Sequence, residues 1–363
     1  MKGEFSILRG ERGCDFVVAL PEGRVGTDIK LLQLTDTQII DSSQRRVPNR
    51  IPADKIAAWS PENFDAQCGN HIRALVNSTR PDMIFITGDV VYGEFDDDGS
   101  ALRWLIGLMD SFEIPWAPVF GNHDNESKIG VRAQCEMLES SKYCLFRRGD
   151  VSGNGNYTVG VSVGGELVRV LYMLDSNGCS NTADPEVIRK KVICPDQLDF
   201  VEESSKEIAS EAGRAVPGFM AFHIPPSIFV EAEREKGYVT DDRRYYTIGV
   251  DVEARDDDFG FMQENAQLIE CEADMLDFTA RVGVDAIFVG HHHSMSSVIR
   301  YHHLRLVYGL KTGQYDTYIP GSVGGTLVAL RGEKFDVAHV PSLCPYGPVP
   351  ESAERYVGFF LKA

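Results

Sequence analysis

Six short apolar runs, each ending in a polar cluster, constrain this chain more than any other feature. "IKLLQLTDTQ" ends in Asp36 and Gln38, "DMIFITGDVVYG" carries Gly88 and Asp89, and "WAPVFGNHDN" ends in Asn122, His123 and Asp124. "VRVLYMLDSN" leads to Asp175, "PGFMAFHIPP" to His223, and "DAIFVGHHHS" to His291, His292 and His293. Runs this short and this rich in Ile, Val, Leu and Phe predict strands buried on both faces. Sheets built from such strands place their ligand crevices beyond the carboxyl ends, so the polar clusters are expected to converge.

Helical segments are expected between the strands. Residues 60–79 open on Ser60-Pro61-Glu62, an N-cap followed by proline at the first helical position. Residues 195–211 open on Pro195-Asp196, and residues 265–282 carry Leu268, Met275, Leu276 and Phe278 at helical spacing. Strand and helix in alternation argue for an α/β or mixed α+β sandwich. Beyond residue 300, "LRLVYGL", "GTLVALRG" and "KFDVAHV" read as an antiparallel run closing a sheet. Residues 226–264 are charged and long, which fits either a solvated excursion or a lid over the crevice. In the lid reading Arg234, Arg243, Arg244 and Arg255 meet phosphate oxygens, and Tyr245 and Tyr246 pack on a leaving group. The main domain is expected over residues 1–340. The tail, residues 341–363, contains four prolines in "PSLCPYGPVP" and is expected to wrap the surface.

Charge narrows the partners. With 54 acidic against 36 basic residues, the net charge of −18 repels bulk nucleic acid and anionic membranes. A local metal charge can still draw an anionic small substrate. Neither an apolar leader at Met1-Lys2-Gly3-Glu4-Phe5 nor a run of transmembrane length is visible. The eight cysteines form no C-x-x-C pair, which weakens zinc-ribbon and thioredoxin readings. Scattered cysteines without an export signal point to reduced thiols in a cytoplasm.

Carboxylates, amide oxygens and imidazoles together at strand ends suit Mn, Fe, Zn or a similar ion, and Mg remains open. The inventory is Asp36, Gln38, Asp89, Asn122, His123, His223, His291 and His293, enough for two ions. Alternation along an extended strand puts His291 and His293 on one side and turns His292 away. A carboxylate between two cations can bridge them and so set up in-line attack on phosphorus.

Order and spacing resemble the calcineurin-like metallophosphoesterases, whose pattern is D-x-H, GD, GNH(D/E), a lone His and GHxH. Here the pattern reads Asp36-Thr37-Gln38, Gly88-Asp89, Gly121-Asn122-His123-Asp124, His223 and Gly290-His291-His292-His293. The resemblance implies a four-layer αββα sandwich of two mixed β-sheets flanked by helices. It also implies a binuclear centre that hydrolyses phosphoesters with a hydroxide held between the metals. One metal falls to Asp36, Gln38, Asp89 and His293, and the other to Asp89, Asn122, His223 and His291. His123 then stabilises the transition state or protonates the leaving oxygen, and His292 is a bystander. His71, His302, His303 and His339 lack such a setting.

Two positions depart from the pattern. Gln38 stands where the family usually has His, and an amide oxygen is the weaker ligand. Tyr92 stands where the serine/threonine protein phosphatases of this fold carry an aspartate that orients the catalytic histidine. Purple acid phosphatases have an iron-binding tyrosine at that spacing, so Tyr92 reads either as an Fe³⁺ ligand or as a tyrosine packing beside His123. "GNGNYTVGV", "FHIPP" and "VYGLKTGQY" resemble the non-secreted, purple-acid-phosphatase-related branch that includes a yeast cell-cycle-regulator phosphatase. The expected activity is phosphomonoester hydrolysis on a small phosphoester, with a phosphoprotein as a further possible substrate. A phosphodiesterase and a non-catalytic scaffold of the same fold are the alternatives.

Overall fold

Strand Val284–Val289 (β11) shows how one strand serves two cores. Ala286 and Phe288 enter one apolar cluster, while Ile287 and Val289 enter another. Strand Gly218–Ala221 (β8) does the same, with Phe219 and Ala221 in the first cluster and Met220 in the second. Side chains alternate across a strand, so a run apolar at every position needs cover on both faces.

The computed structural model describes residues 4–41, 43, 46, 64–179, 181–313 and 322–342. The smaller sheet has the order β15 (Lys334–Pro341), β14 (Gly324–Arg331), β3 (Ile29–Leu34), β4 (Met83–Thr87), β5 (Trp116–Val119). Strands β3, β4 and β5 are parallel, and β14 runs antiparallel to both β3 and β15. The larger sheet begins β1 (Ser6–Glu11), β2 (Cys14–Leu20), β6 (Tyr157–Val163), β7 (Glu166–Met173). It continues through β8 and β11 to β13 (Leu304–Tyr308) and β12 (Val298–Tyr301). A two-stranded ribbon, β9 (Tyr246–Thr247) with β10 (Phe261–Met262), forms its own ladder, tied to the start of β12 by the reciprocal Phe259–Val298 hydrogen bonds.

Aromatic rings join the two sheets face to face. Phe85 of β4 meets Phe288 of β11 with centroids 5.3 Å apart, and Phe219 meets Phe335 of β15 at 4.8 Å. Truncating one buried ring of this kind to Ala costs about 3–5 kcal/mol. Helix α1 (Phe64–Thr79) packs on β3 and β14, α2 (Ser100–Ser111) on α1, and α3 (Val131–Glu139) on α2. Helices α4 (Pro195–Ala212), α5 (Ile228–Glu235) and α6 (Met275–Val282) cover β7, β12 and β11 of the larger sheet. The result is the expected four-layer αββα sandwich of two mixed sheets. No helix among the described residues is long and apolar enough to cross a membrane.

Several expectations change in detail. The helix expected over 265–282 is confined to Met275–Val282, where the Asp274 carboxylate caps the N–H groups of Leu276 and Asp277. Upstream, backbone bonds go to distant partners instead: Ile269 N–H to Pro225 O and Glu270 N–H to Lys191 O. The run beyond residue 300 divides between the sheets, because β13 pairs in parallel with β11 while β14 pairs with β3. Residues 226–264 contain α5 and the ribbon, and Ile228, Phe229, Tyr238 and Tyr246 pack into the core on the outer face of the larger sheet. The start of the helix expected from residue 60 and the tail beyond residue 342 lie outside the described residues.

Candidate metal centre

The smaller sheet supplies oxygens and the larger sheet supplies nitrogens. Asp36 and Gln38 follow β3, Asp89 follows β4, and Asn122 and His123 follow β5. His223 follows β8, and His291 and His293 follow β11. Asp36, Gln38, Asp89 and His291 all have positive φ, at 50°, 45°, 49° and 75°. Backbone held in this region by non-glycine residues is costly and concentrates at functional sites. The strand also ends at Val289, so the alternation expected for His291 and His293 does not extend to them.

Two glycines permit the approach of the loops. A Cβ on Gly290 would sit 2.0 Å from Thr35 Oγ1, and one on Gly121 would sit 2.2 Å from Asp89 Oδ1. Both distances lie far inside van der Waals contact, so only glycine fits.

Two groups emerge whose possible ligand atoms all lie within 4.8 Å of one another: Asp89 with His223 and His291, and Asp36 with Asp89 and His293. Asp89 belongs to both. His223 places Nδ1 2.8 Å from Thr87 O, which can only accept, so Nδ1 carries a hydrogen. Its Nε2 faces Asp89 Oδ2 at 3.2 Å and Asp36 Oδ1 at 4.0 Å. His293 Nε2 lies 3.3 Å from Asp36 Oδ1. Asp36 Oδ2 is taken by Thr35 Oγ1 at 2.7 Å and the His291 N–H at 3.1 Å. Asp36 Oδ1, Asn122 Oδ1 and His223 Nε2 are buried without a hydrogen-bond partner. The lone pairs of Asp36 Oδ1 and His223 Nε2, facing one another in a buried place, require a cation between them, a proton or a metal. The donor set of carboxylate, amide oxygen and imidazole fits a first-row divalent or trivalent ion.

The electrostatics agree with that demand. Burial opposes protonation of His223, but Asp89 and Asp36 outweigh it and lift the imidazole to about 9. Burial likewise opposes ionisation of Asp89, yet His223, His123 and His291 hold it well below the usual carboxylate range. His291 is pushed well below its ordinary value by burial first, then by His223, His292 and Lys191. A neutral imidazole is the form that binds a metal.

His123 stands beside the two groups. Its backbone N–H donates to Asp89 Oδ1 at 2.8 Å, and its ring stacks on Tyr92 with centroids 4.6 Å apart and planes at 17°. Nδ1 lies 2.8 Å from Glu126 Oε2, which fixes the hydrogen on Nδ1. The carboxylate that orients the His123 ring is thus Glu126, while Tyr92 stacks on its face. Tyr92 is fully buried.

Several polar residues around the centre had no assigned role in the sequence reading. The buried Asp124 carboxylate accepts the N–H groups of Val90, Val91 and Gly121 and clamps the loops after β4 and β5. Half-buried Lys191 lies 3.5 Å from His291 Nε2 and donates to Gln267 Oε1 at 2.6 Å. Buried Lys311 donates to Gln38 Oε1 at 2.7 Å and to Asp36 O at 3.1 Å. Asp175 is a brace, accepting the N–H groups of Asn154 and Asn177, and burial pushes it up to about 6. His292 is buried, and its Nε2 accepts the Gln267 N–H at 2.8 Å. His71 meets Ser342 Oγ, and His339 links Thr326 Oγ1 to Ser296 O. From residues 226–264, the Arg243 guanidinium bonds the carbonyls of Gly237 and Tyr238. Tyr246 is buried against Tyr238 with centroids 5.4 Å apart, whereas Tyr245 is exposed. Arg243 and Tyr246 thus help fold their own segment.

Residues 29–295 match the family model described as Calcineurin-like phosphoesterase, and the chain belongs to that family. Its relatives include purple-acid-phosphatase-related proteins, as the motifs implied. A probable inactive purple acid phosphatase 28 of Arabidopsis thaliana is 28% identical over 186 residues, 44% of this chain and 45% of that protein. A probable inactive purple acid phosphatase 29 from the same plant is 23% identical over 313 residues, 78% of this chain and 72% of that protein. Phosphatase DCR2 of Saccharomyces cerevisiae is 26% identical over 124 residues, 31% of this chain and 22% of that protein. The chain spans less than half the length of the first and third of these. Among solved structures, a dimetal phosphatase from Danio rerio aligns over 87% of this chain and 96% of that one. Its TM-score of 0.51 at 12% identity shows a shared fold.

Proposed function

We propose that this protein hydrolyses phosphomonoesters at a two-metal centre. Asp36, Asp89 and His293 hold one ion, and Asp89, Asn122, His223 and His291 hold the other. The observation that carries this reading is the pair of candidate ligand groups sharing Asp89, with Asp36 Oδ1 and His223 Nε2, both buried without a hydrogen bond, 4.0 Å apart. Bound cations polarise phosphoryl oxygens and activate water for in-line attack. The chain's own residues supply the remainder. Glu126 holds the hydrogen of His123 on Nδ1, so Nε2 is the nitrogen that hands a proton to the leaving oxygen. Tyr92 fixes the plane of that ring. Lys191 adds positive charge beside His291 and draws the substrate's phosphate. A cavity of about 540 Å³ meets the site at Glu126, the partner of His123, and is the space we assign to the leaving group. The preference for monoesters follows the phosphatase names of the relatives. Two of those names include the word inactive, so turnover is itself part of the proposal, as are a cytoplasmic setting and a small-molecule substrate.

The test is a screen of Mn, Fe, Zn and Mg against a chromogenic aryl monoester and the matching diester. The monoester is expected to react at least about tenfold faster in kcat/KM with one of the first-row metals. Hydrolysis of neither ester with any metal would leave a scaffold of the same fold.

A further inference from the structure

The two halves of the centre are not built alike. In one, Asp89, Asn122, His223 and His291 all offer a lone pair. In the other, Gln38 stands beside Asp36, Asp89 and His293, and what it offers depends on which end of its carboxamide faces inward. Lys311 decides that. An ammonium has three donors and no acceptor, so the Gln38 atom 2.7 Å from Lys311 Nζ must be the oxygen. Gln38 Nε2 consequently lies 3.3 Å from His293 Nε2 and 3.5 Å from Asp89 Oδ2. An amide nitrogen carries two hydrogens and no available lone pair, so it cannot serve as a ligand. Turning the amide over would aim its N–H groups at the ammonium and leave a buried donor without an acceptor. Lys311 is itself anchored by Asp36 O at 3.1 Å and is 1% exposed, so it has little room to withdraw.

We infer that Lys311 is a positioning residue that keeps the Gln38 oxygen out of the coordination shell and makes the two metal positions unequal. Resting on the two-metal reading above, this gives the position at Asp36, Asp89 and His293 three protein ligands and a neighbouring positive charge. The position at Asp89, Asn122, His223 and His291 has four ligands and is the tighter one. The first ion is then a readily exchanged partner of a firmly held second ion.

Mn²⁺ binding to the full chain tests this, read by equilibrium dialysis and by electron paramagnetic resonance of free and spin-coupled Mn²⁺. The unaltered protein is expected to bind two ions with dissociation constants at least about tenfold apart. Gln38→Ala is expected to move the weaker constant by less than about threefold, because no ligand is lost. The pair Gln38→His with Lys311→Met is expected to tighten the weaker position by about tenfold or more and to strengthen the spin-coupled signal. A loss of about tenfold or more in Gln38→Ala would show Gln38 to be a ligand and overturn the inference. Two equal constants in the unaltered protein would overturn it as well, while leaving the two-metal centre intact. Uptake of no Mn²⁺ by the unaltered protein would instead remove the two-metal reading itself. If thermal melting shows that the double variant does not fold, Gln38→Ala alone decides.

Discussion

Asp89 in the crevice and Glu233 of α5, within the 226–264 segment, are both carboxylates buried to 1% exposure, yet they answer burial in opposite ways. Asp89 is driven well below the usual range, because His223, His123 and His291 outweigh the cost of burial. Glu233 has only hydroxyl company, with Ser297 Oγ at 3.2 Å from Oε1, and burial pushes it up to about 7. Burial alone thus favours the neutral carboxyl group, and a surrounding set of nitrogens favours the anion. Only the second arrangement can be a metal centre. The segment touches both places: α5 and Tyr246 join the core on the outer face of the larger sheet, while Glu264 accepts the Ser294 N–H at 2.8 Å, next to His293.

The largest break in that comparison is Asp89→Asn. The change is nearly isosteric, but it removes a charge shared by both ligand groups. Metal content measured by elemental analysis is expected to fall from two equivalents towards none. His223→Ala touches one group only, and it is expected to lose one ion and keep the other. If Asp89→Asn retains both ions, the shared position of Asp89 carries no metal.

His123→Ala sharpens the line between holding metal and moving protons. Both ions are expected to stay, with kcat lower by roughly 10²–10⁴-fold on a substrate with a poor leaving group. Glu126→Gln should fall in the same direction by less and should shift the pH–rate profile, because the histidine loses its charged partner. Loss of metal in His123→Ala would place the histidine in the ligand set instead.

Glu233→Gln is the counterpart to Asp89→Asn. A carboxyl group raised in the folded state stabilises below its unfolded value, near 4.5, and that contribution is lost as the pH rises through about 7. Urea unfolding of the unaltered protein should therefore weaken between pH 5 and pH 8, by on the order of 2 kcal/mol from this group. Glu233→Gln should flatten that slope and leave metal content alone. An unchanged slope would mean that Glu233 is ionised in the fold.

The smallest effect belongs to Lys191. Lys191→Met is expected to raise KM by about tenfold while metal content and kcat hold nearly constant, since the ammonium attracts phosphate without joining the chemistry. A fall in kcat with KM unchanged would assign Lys191 to the transition state.

The sequence by itself determined the strands, their layering and the residues that reach the crevice. Strand period and the polar residue after each apolar run are local properties, written within about ten residues of one another. That is why Asp36, Asp89, His223, His291 and His293 could be named from the chain alone and are found together. What only the tertiary structure decided is what those residues face. Lys311 meets Gln38 across 273 residues, and Lys191 meets His291 across 100. No local pattern encodes such meetings, because they arise only when two sheets stack and bring distant loops to one place. The direction of the Gln38 amide, the carboxylate behind His123 and the fold of 226–264 all depend on that stacking. Which residues gather at the crevice was therefore legible along the chain, whereas which atom each presents was set by the neighbours that packing supplied.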